Sequence, residues 1–173
     1  MKNIDKRTGW RTGIDGPHHE IHEGNSYKVN YNVASIGAME TPDDAIQITW
    51  TSPMGPKNMN LTIHVQCGAA ALYKFTRGWT GGGTSPTGTV VGYNRNHNFP
   101  NSNIAFYYDA TLVTGGEVLE QEYITTGKFG AGESRDSQEM ILRANTAYAV
   151  SLYLNAAEIA TISLDWYMKR DRH

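Results

Sequence analysis

The sequence predicts an all-β chain, an antiparallel β-sandwich that is jelly-roll-like, with an extended amino-terminal arm. Three observations predict it. Short β-prone runs separated by turn residues follow one another from Tyr27 almost to the end. In the clearest of them, apolar and polar side chains alternate with period 2. No segment sustains an i, i+3, i+4, i+7 apolar stripe, and no repeat of fixed period recurs.

Residues 1–24 are polar, contain Gly9, Gly13, Gly16 and Pro17, and show neither periodicity; they read as the extended arm, and residues 25–173 as the sandwich domain. In residues 45–51, Ile46, Ile48 and Trp50 alternate with Gln47 and Thr49, as a half-buried strand requires. Pro53, Gly55 and Pro56 break the chain before Met59, Leu61, Ile63 and Val65 alternate with Asn60, Thr62 and His64. Residues 72–75 extend the sheet, whereas the glycines and Pro86 of residues 78–88 predict a mobile loop. Weaker strands are expected at residues 90–93, 104–108 and 117–124, and better defined ones at 138–143, 148–154 and 161–167. The last places Ile162, Leu164 and Trp166 on one face, with Ser163 and Asp165 on the other. Strands of this kind each bury one face, which a second sheet packed about 10 Å away accomplishes. An eight-stranded barrel satisfies the same pattern.

At 173 residues, 39% hydrophobic and 18% charged, the chain has the composition of one globular domain. A formal net charge of −2 offers no general attraction to a phosphate backbone, so nucleic acid is not an expected partner. No apolar run approaches the roughly 18 residues that a spanning helix needs, so no membrane partner is expected. The first ten residues lack the hydrophobic stretch of a signal peptide, which points to synthesis in the cytoplasm. Cys67 is the single cysteine and reads as a small buried hydrophobe.

His18, His19, Glu20 and His22 are the densest group of metal-capable side chains. A zincin helix needs glutamate directly after its first histidine, but Glu20 is displaced, and Gly16, Pro17 and Gly24 argue against a helix. On an extended chain His18, Glu20 and His22 share one face, so the cluster is read as a strand-anchoring, hydrogen-bonding group, with no metal and no cofactor. Gly81 to Gly83 lacks the Lys-Ser/Thr of a phosphate loop. Ser134, within Gly132-Glu133-Ser134-Arg135-Asp136, lacks the second glycine of a nucleophile elbow and reads as a charged turn before a strand. Glu117, Glu120 and Glu122 could furnish paired glycosidase carboxylates, but a solvated strand face accounts for them more simply. No catalytic residue is therefore expected. Tyr27, Tyr31, Tyr93, Tyr107 and Tyr108 supply aromatic surface, most of it covering the core. Asn94, Arg95, Asn96 and His97 open a polar run suited to a contact loop.

Three stretches of the chain resemble a family. His18-His19-Glu20-Ile21-His22-Glu23-Gly24-Asn25-Ser26-Tyr27 resembles the "HHEIH-G-SY" opening of a group of small structural proteins of tailed bacteriophages. Gly132-Glu133-Ser134-Arg135-Asp136-Ser137, followed by Glu139-Met140-Ile141-Leu142 and Asn145-Thr146-Ala147-Tyr148, is similar to that group's "GESR-DSE-ILK-NT-Y" segment. Asp165-Trp166-Tyr167 resembles its closing "(D/E)WYE", although Met168 stands where the group has an acidic residue, and the arm here is longer. The resemblance implies a virion protein, a capsid decoration (cement) protein on the outer capsid surface, whose partner is the major capsid protein. On that reading Lys2, Lys6, Arg7, Trp10 and Arg11 form a capsid-binding arm, and a homotrimer is favoured for a lattice with three-fold sites. Two rivals stand beside it. One is a tail-fibre or head-fibre host-recognition module whose aromatic and Asn-rich loops bind cell-surface polysaccharide. The other is an enzyme, motivated only by the histidine cluster and the glutamates.

Overall fold

Period-2 alternation commits each strand to one apolar face, and the arrangement follows from pairing those faces. In the computed structural model, residues 20–33, 45–84, 88–108, 110–124, 131–134, 139–156 and 158–170 are described. Among them run twelve strands: β1 Ser26–Val33, β2 Ile46–Thr51, β3 Lys57–Cys67, β4 Ala71–Arg77, β5 Thr89–Val91, β6 Tyr93–Asn94, β7 Ala105–Tyr108, β8 Glu117–Ile124, β9 Ala131–Ser134, β10 Met140–Leu142, β11 Ala147–Leu154 and β12 Ala160–Arg170. One sheet has the order β10-β3-β12-β1-β6, with β9 also on β3; the other has the order β5-β7-β2-β11-β4-β8. All pairings between these strands are antiparallel. Each sheet ends in edge strands, so the architecture is a sandwich and not a closed barrel.

The inner faces hold the residues that the alternation marks. Val29, Tyr31, Met59, Leu61, Ile63, Val65, Ile162, Leu164 and Trp166 come from one sheet and meet Ile46, Ile48, Trp50, Tyr73, Phe75, Phe106, Tyr148, Val150 and Leu152 from the other, all buried. Phe106 joins the layers, its ring centroid lying 5.8 Å from Trp50 and 5.0 Å from Trp166. Tyr31 and Tyr108 make a second bridge at 5.5 Å. Trp50 and Trp166 bury indole N–H groups that have no hydrogen-bond partner. An orphaned donor costs about 1–3 kcal/mol, and the area these large rings bury outweighs it.

Four sequence expectations are corrected. Gln47 and Thr49 do not face solvent: both are 0% exposed, because residues 79–84 and 110–114 lie across the outside of β2 and β11. Thr49 Oγ1 donates to the Gly83 carbonyl at 2.6 Å, Gln47 Nε2 to that of Thr111 at 2.9 Å, and Ser151 Oγ to Gln47 Oε1 at 2.8 Å. The described part of the expected mobile loop is thus a fixed flap, also held by a bridge between Gly81 and Thr114. The weak strand expected at residues 90–93 is really two. Gly92 lets the chain cross from β5 in one sheet to β6 in the other, passing so close over Trp166 that a Cβ would overlap the indole. Finally, Ser134 lies in strand β9, which pairs along the second half of β3, and not in a turn.

Replacing Phe106 with Ala leaves a cavity between the two tryptophans, with an expected loss of about 3–5 kcal/mol in urea unfolding. Met54→Ser, at a side chain 79% exposed, is expected to stay within about 0.5 kcal/mol of the parent.

Candidate functional site

The predicted polar groups meet at one end of the β6-β1-β12 region. Residues 20–22 are helical and stop at Gly24, which takes φ of 72°. Gly24 N donates to the Ile21 carbonyl at 3.1 Å and Asn25 N to that of Glu20 at 2.9 Å, the paired bonds of a left-handed helix stop. Side chains then staple the turn down. Asn25 Nδ2 donates to Glu20 Oε2 at 3.2 Å, Lys57 Nζ to Asn25 Oδ1 at 3.0 Å, and Met168 N to the Asn25 carbonyl at 3.0 Å. The expected extended ladder is therefore wrong for Glu20 and His22. Gly24 does not argue against a helix here; it is the residue that ends one. His18 and His19 lie outside the described residues.

The Asn-rich run packs on this turn. Asn94 is 1% exposed, and its Nδ2 donates to the carbonyls of Gly24 at 2.8 Å and Pro100 at 2.9 Å. Its Oδ1 accepts from Asn96 N at 2.9 Å, and Asn96 Oδ1 accepts from Asn98 N at 3.2 Å, two successive Asx turns. Asn96 Nδ2 reaches the His22 carbonyl at 3.4 Å, and the Phe99 ring covers Gly24 so closely that a Cβ there would overlap it. The expected contact loop accordingly divides. Asn94 is spent inside the fold and Asn96 is half-buried, while Arg95 and His97 are exposed.

Beside this corner, Tyr27 stacks on Trp166 with centroids 5.6 Å apart, and Tyr167 Oη donates to Glu139 Oε1 at 2.6 Å. Burial, the bond to Glu139 and the charges of Glu139 and Glu20 together push the Tyr167 hydroxyl well above the usual tyrosine range. On the outer face of the sheet, Asp165 is ringed by Lys28 Nζ at 3.3 Å, His64 Nε2 at 3.6 Å and Arg95 Nη1 at 4.0 Å. Sequence reasoning did not find this group, because its members stand far apart in the chain and only strand register joins them. The sequence stretches around residues 20–27, 139 and 165–167 thus converge in space.

Comparison with protein-family models, with curated proteins and with solved structures finds no match in any of the three.

Other candidates lie apart from the corner. Glu117 pairs with Arg77, and Glu120 Oε2 accepts from the Tyr73 hydroxyl at 3.4 Å, both along the β4–β8 pairing. Among the described residues no group of His, Cys, Asp and Glu is gathered to hold a metal ion. Lys2, Lys6, Arg7, Trp10 and Arg11 lie outside the described residues. Burial pushes the Cys67 thiol up, the state of an inert core cysteine.

Asn94→Ala strips partners from the Gly24 and Pro100 carbonyls and from Asn96 N, and is expected to cost about 2–3 kcal/mol in urea unfolding, against about 0.5 kcal/mol or less for His97→Ala. Because the folded state raises the Tyr167 pKa above its unfolded value, this residue's contribution is fully present below pH 10.0 and is lost as pH rises through the folded pKa. Alkaline titration of tyrosinate absorbance should show a late-titrating phenol that is absent in Tyr167→Phe and titrates at lower pH in Glu139→Gln.

Proposed function

We propose that this chain is a non-catalytic capsid decoration (cement) protein that binds the outer surface of the major capsid protein lattice of a tailed phage. The observation that carries the reading is how the polar corner is used. Asn94, Asn25, Glu20 and Lys57, residues with chemical potential, are committed to bonds inside the fold. They hold the turn before β1 to β3 and β6, and the Asn25 carbonyl ties the same turn to Met168 of β12. A rigid anchor at residue 20 with a basic segment upstream suits a sandwich that holds its place while an arm lies along a partner.

We also read the pairing scheme as a jelly roll. The sheets formed by β1, β12, β3 and β9/β10 and by β2, β11, β4 and β8 follow a double Greek-key path, with β5, β6 and β7 as an excursion between β4 and β8 that widens both layers. A trimer at a three-fold site of the lattice would present three arms together and multiply their avidity.

Deleting residues 1–16 leaves the Glu20–Asn25 turn untouched. The truncated protein is expected to keep its parent unfolding midpoint but to be lost from purified heads on washing, as measured by sedimentation. Retention equal to that of the full chain would refute the arm mechanism.

A further inference from the structure

The two outer faces of the sandwich are unlike. The flap of residues 79–84 and 110–114 covers β2 and β11, whereas the outside of β6-β1-β12-β3 bears side chains in open cross-strand rows. Strand register defines these rows. Tyr93, Lys28, Asp165 and Thr62 form one; Asn30, Ser163 and His64 form the next; Asn32, Thr161 and Gln66 form the third. Tyr93 is 59% exposed, and Asn30, Asn32 and Gln66 are exposed as well. With strands about 4.8 Å apart, the first row spans about 14 Å.

We propose that this face binds an acidic polysaccharide, a polymer of pyranose rings that carry carboxylates. The inference does not rest on the capsid reading. Short amide and hydroxyl side chains in a flat array both donate and accept, which suits the vicinal hydroxyls of sugars. The exposed Tyr93 ring at the end of the first row offers a stacking platform for an apolar sugar face. Charge selects the anionic class. Lys28 and Arg95 gather round Asp165 with His64 beside them, so among the described residues at these three rows two fixed cations face one carboxylate.

Rival partners fit less well. A protein interface of standard kind needs an apolar, aromatic centre, and the middle of these rows holds none. Nucleic acid requires many phosphates to be neutralised, for which Lys28 and Arg95 are too few.

The test uses the full chain titrated with polygalacturonate, with neutral dextran and with poly-glutamate, followed by calorimetry. Saturable binding to polygalacturonate is expected, weakened by salt, without comparable binding to the other two polymers. Tyr93→Ala and Arg95→Ala are each expected to weaken it about tenfold, while Tyr93→Phe retains it. Both positions are exposed, and an unchanged thermal midpoint verifies that the variants fold. The proposal is overturned by any of four results: no binding to polygalacturonate, equal binding to dextran, equal binding to poly-glutamate, or undiminished binding by Tyr93→Ala.

Discussion

The structure depends on the pairing of β12 with both of its neighbours. Along its whole length it is bonded to β3, and over eight further pairs to β1, so the last strand of the chain is the middle of its sheet. That position sets two faces at once. Inward, Ile162, Leu164 and Trp166 close against the opposite sheet through Phe106; outward, Ser163, Asp165 and Tyr167 stand beside β1 and β3. Because β1 and β12 are separated by most of the sequence, the sheet closes only when its ends meet, a non-local topology of the kind that folds slowly.

The corner follows from the same constraint. Ser26 opposite Tyr167 and Tyr27 opposite Trp166 bring the Glu20–Asn25 turn to the end of β12, where Met168 N bonds the Asn25 carbonyl. The chain uses Gly24 to stop a helical turn, Phe99 to cover it and Asn94 of β6 to hold the Gly24 and Pro100 carbonyls. Glu20, which looks reactive in sequence, is in three dimensions part of a latch.

What was legible in the sequence was whatever a single strand reveals about itself. Ile46, Ile48 and Trp50, Met59 to Val65, and Ile162 to Trp166 announce their inner faces by alternation, and the structure buries those residues. What could not be read depended on a second segment. Gln47 and Thr49 look solvent-facing until the flap is laid over them; Gly92 looks like an interruption until Trp166 lies beneath it. Strand β9 contains Gly132 and polar neighbours, and only its pairing with β3 makes it a strand. The ring of Lys28, His64 and Arg95 around Asp165 is invisible for the same reason, since register is a property of pairs.

On the proposed reading, a latched corner with a basic segment upstream belongs to a protein that holds capsid surfaces together. Cryo-electron microscopy of the intact virion tests that account most directly. It predicts sandwich-shaped density in many copies at symmetry-related sites on the outside of the head, with the residue 20 corner turned toward the major capsid protein. Density confined to the tail tip, or none on the particle, would contradict it.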